Sequence, residues 1–207
     1  MNKPPFKLFK YPSRGRPDRF FKSLDSIVNN VSDKDYFHVA CTLDTDDVTM
    51  NNAEVVNRIM GYKNVSIQWG SSESKIHAVN RSMPDIDWDI LINMSDDMQF
   101  NIFGFDVMIG VDMLNWFPDF DGLLHYPDQD AKEFLATMYI AGKNFYSKFG
   151  FIYDPQFKSL WCDNLVQDVA IDMGKYKYCG YQINLHNNPA YGHLPKDELF
   201  NRQQSDW

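Results

Sequence analysis

Short apolar runs alternate with stretches of helical spacing along the first hundred residues. Phe6 to Tyr11 interleaves apolar and basic residues at a period of two and stops at Pro12, which predicts a strand. From Pro17 the apolar positions Phe20, Phe21, Leu24, Ile27 and Val28 fall on one helical face, with Pro17 suited to a first turn. Tyr36 to Leu43 predicts a second strand, closed by Asp44-Thr45-Asp46-Asp47. Ala53, Val55, Val56, Ile59 and Met60 predict a second helix with Gly61 as its C-cap. Val65 to Trp69 follows as a third strand, and Ile76, Val79 and Met83 as a third helix. Asp89 to Met94 is the most strand-like run in the chain and ends at Ser95-Asp96-Asp97. Regular alternation of this kind predicts an α/β fold, a mainly parallel central sheet with helices on both faces. Ligands bind beyond the carboxyl ends of the strands in such sheets, and here those ends are polar or acidic.

The second half is less regular. Val107 to Phe117 reads as a helix, Gly122 to His125 as a short strand, and Ala136 to Ala141 as another strand. Asn144 to Phe149 predicts a short helix, and Asn164 to Met173 an amphipathic one ended by Gly174. Lys177 to Ile183 predicts a last strand, followed by a polar tail from His186 to Trp207. No repeat or low-complexity linker divides the 207 residues, so this half is expected to complete the sheet and form a second wall.

Charge narrows the picture. The net charge is −8, which opposes nucleic-acid or anionic-membrane binding while leaving room for a local basic site. Only four of the 28 acidic residues are Glu (Glu54, Glu73, Glu133, Glu198), which excludes a long coiled coil and favours caps, turns and metal sites. Three scattered cysteines, Cys41, Cys162 and Cys179, form neither a disulfide framework nor a Cys-rich zinc site. Met1 to Lys10 lacks the apolar core of a signal peptide, and no window approaches a membrane span, so the expectation is a cytoplasmic, soluble chain.

Several clusters are candidates for chemistry. Asp96 and Asp97, adjacent at a strand end, repel each other unless a cation or positive dipoles compensate, and such oxygen ligands suit Mg2+ or Mn2+. Asp44, Asp46 and Asp47 are an alternative metal cluster, an Asx-turn cap for the helix near Asn51, or acceptors for nucleotide N–H and O–H groups. Pro12-Ser13-Arg14-Gly15-Arg16-Pro17, with Arg19, puts three arginines within six residues and offers an anion site, or else a solvated turn. Neither a P-loop nor Gly-x-Gly-x-x-Gly is present, which argues against nicotinamide, flavin and Walker-type enzymes. Asp163, in Trp161-Cys162-Asp163-Asn164, is a helix N-cap or a carboxylate placed to take a proton. His186, after the last strand, is a structural histidine or a ligand paired with Asp97.

Taken in order, Tyr11 to Pro17, Leu43-Asp44, Lys75 with Asn80, Ser95-Asp96-Asp97, Trp161 to Asn164 and His186 resemble the GT-A-fold glycosyltransferases, in particular the family 2-like nucleotide-sugar-dependent enzymes. The resemblance implies one Rossmann-like GT-A domain over residues 1–207, with 1–100 binding the donor and 101–207 the acceptor. It implies a UDP- or GDP-sugar donor, a glycan or small-molecule acceptor and a divalent metal, Mn2+ or Mg2+. Pro12, Ser13 and Arg14 then wrap the donor base, with Arg16 and Asp46 also in the donor site; Asp44 contacts the base and Lys75 the nucleotide. Asp96 faces the ribose or sugar, Asp97 and His186 hold the metal, and Asp163 is the base of an inverting hexosyl transfer. Two positions depart from the family pattern: Ser95 stands where the Asp-x-Asp motif has its first carboxylate, and Cys162 stands where Glu usually precedes Asp163. A sugar-nucleotide nucleotidyltransferase and a non-catalytic carbohydrate- or nucleotide-binding protein on the same fold are the rival readings.

Overall fold

The computed structural model describes residues 3–205, so the terminal positions 1, 2, 206 and 207 of the predicted tails lie outside it. Nine strands and seven α-helices are present among the described residues. The first half runs β1 (Lys7–Ser13), α1 (Pro17–Asn30), β2 (Phe37–Asp44), α2 (Ala53–Met60), β3 (Val65–Gly70), α3 (Lys75–Asn80), β4 (Ile90–Asn93) and β5 (Met98–Phe100). The second runs α4 (Phe105–Trp116), β6 (Leu123–His125), β7 (Ile140–Gly142), α5 (Lys143–Ser147), α6 (Cys162–Asp172), β8 (Tyr176–Tyr178), β9 (Asn184–His186) and α7 (Glu198–Ser205). Seven strands form one sheet in the order β3-β2-β1-β4-β7-β6-β8, and β5 pairs with β9 in a separate ribbon. Only β7 runs against the rest of the large sheet, so the expected mainly parallel α/β architecture is what the chain adopts.

The two faces of the sheet carry separate cores. Phe9 and Tyr11 of β1 point to one face, where Phe20, Leu24 and Ile27 of α1, Ile59 of α2 and Phe105, Ile109 and Met113 of α4 cover them. Leu8 points to the other, under Ile76 and Val79 of α3, Phe145 of α5 and Ala170 of α6. This alternation follows from the period-2 geometry of a strand buried on both sides. Phe9 meets the rings of Phe37, Phe100 and Phe105 edge-on at 6.1–6.3 Å, tying β1, β2, β5 and α4 together. Pro17 opens α1 with its fixed φ, and Asp18 favours the positive end of the helix dipole in the same turn.

Several boundaries differ from expectation, each for a local reason. Only Ile140–Gly142 of the run 136–141 is strand, because the Ala136 amide donates to the Gln167 side chain (2.6 Å) instead of to a neighbouring strand. The predicted last strand is broken at Gly180, whose φ of +75° turns the chain; β8 stays in the large sheet and β9 leaves to pair with β5. The third helix stops at Asn80, before Met83, as the chain turns through Ser82 at φ +57°. Helix α6 begins at Cys162, two residues early, and β5, β9 and α7 were not foreseen. Gly61 caps α2 through its N–H in an ordinary helical conformation, φ −71°. At Gly142 a Cβ would sit 2.1 Å from the Phe120 carbonyl oxygen, so the β7–α5 junction tolerates only glycine.

One polar side chain crosses the second core. Lys10 is fully buried, with its ammonium on the Thr42 hydroxyl and 3.4 Å from the Ser82 carbonyl. Burial first, and then the nearby Arg81 guanidinium, push its pKa down to about 7. Between that value and the unfolded value of roughly 10.4 the unfolded chain binds the extra proton, so stability rises with pH across this window. Lys10→Met is expected to remove that rise, on the order of 3 kcal/mol, from urea unfolding midpoints measured between pH 6 and 10.

Candidate active site

Six chain segments converge at one edge of the sheet and enclose a cavity of about 270 Å³. Pro12, Ser13, Arg14 and Arg16 reach it from the end of β1, and Asp44 from the end of β2. Lys75 enters from the first turn of α3, Asp96 and Asp97 from the end of β4, Asp163 from the first turn of α6 and His186 from β9. Ten of the eleven residues singled out in the sequence therefore line one cavity. The eleventh, Asp46, lies outside it: its exposed carboxylate takes both Arg14 terminal nitrogens at 2.7 and 2.9 Å and reaches the cavity only through that arginine.

The acidic cluster after β2 is neutralised by the chain itself. Asp44 Oδ1 accepts from Ser72 Oγ (2.6 Å) and Arg81 Nη2 (3.0 Å), while Oδ2 accepts from Arg14 Nη1 (2.9 Å). Asp47 accepts from the Gly15 amide (2.7 Å) and closes its own turn through the Thr49 amide and hydroxyl. With arginines and amides on these oxygens, the cluster is a structural network and not a metal centre. Nor does it cap α2: Asn52 does, accepting from the Val55 amide at 3.1 Å. Arg81 was missed in the sequence reading. Its guanidinium also donates to the Leu43 carbonyl (2.9 Å) and packs on Gly70, where a Cβ would come within 2.5 Å of it.

The carboxylates after β4 have divergent surroundings. Asp96 accepts from Ser13 Oγ and Arg16 Nη1, both at 3.1 Å. Burial pushes its pKa up to about 6, with Arg16 pulling against it and Asp97 adding to it. Arg16 is shared: Asp197, just before α7, binds its Nε (2.7 Å) and Nη2 (2.5 Å). Asp97 faces His186, with Oδ2 3.6 Å from Nε2, a distance for charge attraction and too long for a hydrogen bond. Burial would raise the Asp97 carboxyl, but the facing imidazole, with Ser95 and Lys75, outweighs it and holds it well below the usual carboxylate range. Burial likewise works against the His186 cation, while Asp128 and Asp97 together raise the imidazole well above its ordinary value. Asp97 Oδ1 is buried without a hydrogen-bond partner among the described residues. A carboxyl group with one orphaned oxygen, facing an imidazole nitrogen that can give up its proton, is a donor pair whose chemistry fits a divalent cation. Among the described residues, no group of three His, Cys, Asp or Glu side chains is placed to hold a metal ion.

Asp163 sits one residue inside α6 and does not act as its N-cap; Trp161 occupies that position with φ +68°, half-exposed and lining the cavity. The Asp163 carboxylate accepts the Asn164 amide at 3.0 Å through Oδ1, and the residue lines the cavity. The Lys75 ammonium makes no hydrogen bond among the described residues and lies near enough to Asp97 to influence it.

No known family profile matches the chain, and no curated protein matches it in sequence. Solved structures match it in fold. A mannosyltransferase from Pyrobaculum calidifontis, in complex with GDP-Man and Mn2+, superposes with a TM-score of 0.70 at 13% identity, over 93% of this chain and 59% of that one. Residues 1–349 of S. aureus TarS superpose with a TM-score of 0.64 at 10% identity, over 87% of this chain and 60% of that one. The same fragment in complex with UDP-GlcNAc gives 0.64 at 10% identity, over 87% and 58%. The chain thus has the GT-A-type glycosyltransferase fold, and it spans about 60% of the length of these structures. No helix among the described residues is long and apolar enough to cross a membrane.

The Arg81–Asp44 pair is nearly buried on both sides, so removing one partner strands the other. Arg81→Met is expected to lower unfolding free energy by about 3 kcal/mol in urea titrations, with the Asp44 side of the cavity less protected in amide exchange.

Proposed function

We propose that this chain is a glycosyltransferase that moves a sugar from a UDP- or GDP-sugar to an acceptor hydroxyl with inversion at the anomeric carbon. The observation that carries the reading is the meeting, in one cavity, of a cationic side, a carboxylate–imidazole pair and a further carboxylate at the start of α6. The neighbouring structures are glycosyltransferases whose complexes hold GDP-Man with Mn2+ or UDP-GlcNAc, which supports the same donor class here.

In this reading, residues 1–100 hold the donor and the later residues the acceptor. Pro12, Ser13 and Arg14 border the base, and Asp44 Oδ2, which accepts only Arg14, keeps a lone pair for a base N–H. Arg16 and Lys75 supply positive charge for the diphosphate, and Asp96 accepts from a ribose or sugar hydroxyl. Asp97 and His186 would hold Mn2+ or Mg2+, which supplies charge neutralisation as the nucleoside diphosphate leaves. Asp163 takes the proton of the acceptor hydroxyl while that oxygen bonds to the anomeric carbon, and the bond to the departing phosphate oxygen breaks on the opposite face. A carboxylate of ordinary basicity, about 3.9, is a weak base, so most of its effect must come from holding the acceptor in line. Trp161 beside it offers an aromatic surface of the kind that sugars stack on, which fits a glycan or small sugar acceptor.

A thermal-unfolding panel of nucleoside diphosphates, each with and without Mn2+, tests the donor site. One nucleotide at 100 times its dissociation constant is expected to add about 2.7 kcal/mol with metal, and Asp97→Ala to lose the metal-dependent part. The absence of any shift would overturn the reading. Asp163→Asn is expected to lower turnover by roughly 10²- to 10⁴-fold while donor binding stays intact. NMR of the product anomer checks inversion, and a retained configuration would remove Asp163 from the base role.

A further inference from the structure

The loop between β6 and β7 carries a carboxylate with no place in the transfer described above. Asp128 is buried, and its two oxygens together accept four hydrogen bonds. Oδ1 takes the Asp130 amide at 2.9 Å and the Ala131 amide at 2.6 Å. Oδ2 takes the Thr137 hydroxyl at 2.8 Å and faces His186 Nδ1 at 3.0 Å. Two amides and a hydroxyl directed at one carboxyl group stabilise its ionised, acceptor-only form, so Nδ1 of His186 must carry the proton in that bond. This fixes which nitrogen is left over: Nε2, the one facing Asp97. The next residue grips the same histidine by its backbone. The Gln129 amide donates to the His186 carbonyl at 2.6 Å, and its oxygen accepts the His186 amide at 3.0 Å.

We infer that Asp128 is a positioning residue for the metal: it holds the His186 ring by Nδ1 so that the Nε2 lone pair is directed at the cation shared with Asp97. The inference rests on the metal reading above. Hydrogen bonding of a ligand's second nitrogen to a carboxylate orients the ring and raises its basicity, and loss of such a partner weakens metal binding 10- to 100-fold. Asn at position 128 has one acceptor oxygen for four donors and cannot serve the imidazole and the loop amides together.

The test is Mn2+ affinity measured by electron paramagnetic resonance of the free ion, alone and with UDP or GDP present, on the full chain. Asp128→Asn is expected to weaken Mn2+ 10- to 100-fold while metal-free nucleotide binding is retained. A double-mutant cycle separates positioning from general damage, because an Asp128 that acts through the imidazole has nothing to add once the imidazole is gone. Asp128→Asn in a His186→Ala background is therefore expected to cost no further affinity. Equal weakening in both backgrounds, or wild-type affinity in Asp128→Asn, overturns the positioning role while the metal reading stands. A wild-type chain that binds no Mn2+ under any of these conditions overturns the metal reading and the role together. If Asp128→Asn does not fold, Thr137→Val removes one donor and keeps the carboxylate. It is then expected to weaken Mn2+ several-fold in the wild-type background only, and equal affinity in the presence of His186 overturns the role.

Discussion

Four carboxylates, Asp44, Asp96, Asp97 and Asp128, are buried or nearly so around one end of a sheet, in a chain whose net charge is already −8. Ionised groups withdrawn from water must be paired or hydrogen-bonded, and each of the four meets that demand differently. Asp44 takes two arginines and a serine, and Asp128 takes two amides, a hydroxyl and an imidazole. Asp96 shares Arg16 with the C-terminal segment. Asp97 has the attraction of His186 across 3.6 Å, help from Ser95 and Lys75, and one buried oxygen with no hydrogen-bond partner among the described residues. Asp44 and Asp97 look alike on paper, yet the first is held by two arginines and a serine and the second keeps a buried oxygen with no hydrogen-bond partner among the described residues.

The strand–helix alternation of the first half was legible because each element is buried on a face whose periodicity its own residues display. Phe9 against Leu8 in β1 and the Phe20–Leu24–Ile27 stripe of α1 are examples. The second half was less legible for the opposite reason. Its strands are three residues long, too short to show a period, and its path is set by side-chain hydrogen bonds such as Gln167 to the 134–136 loop. Ribbon β5–β9 could not be read at all, since Met98 and His186 are brought together only by the fold.

Within the site, the order of polar residues at strand ends located the cavity, and chemistry that depends on neighbours went unseen. Asp46 looked equivalent to Asp44, yet one is exposed and the other lines the cavity, because β2 ends at Asp44 and Asp46 lies in the turn beyond it. Arg81 and Asp128 carry no motif; each becomes informative only when the partner it satisfies is known. Likeness in fold at 10–13% identity speaks to the backbone frame alone.

The pairing of Met98 with His186 also bears on how the molecule is made. Synthesis proceeds from the N-terminus, so β1 to β4 can form and bury their shared core while the later half is still being assembled. His186 and the ribbon that orients it emerge after that frame, and a one-residue slip in the ribbon would turn the imidazole to the opposite face. A nascent chain thus acquires its frame first and the Asp97–His186 pair later. Until the ribbon forms, the acidic edge stands without the histidine that faces it.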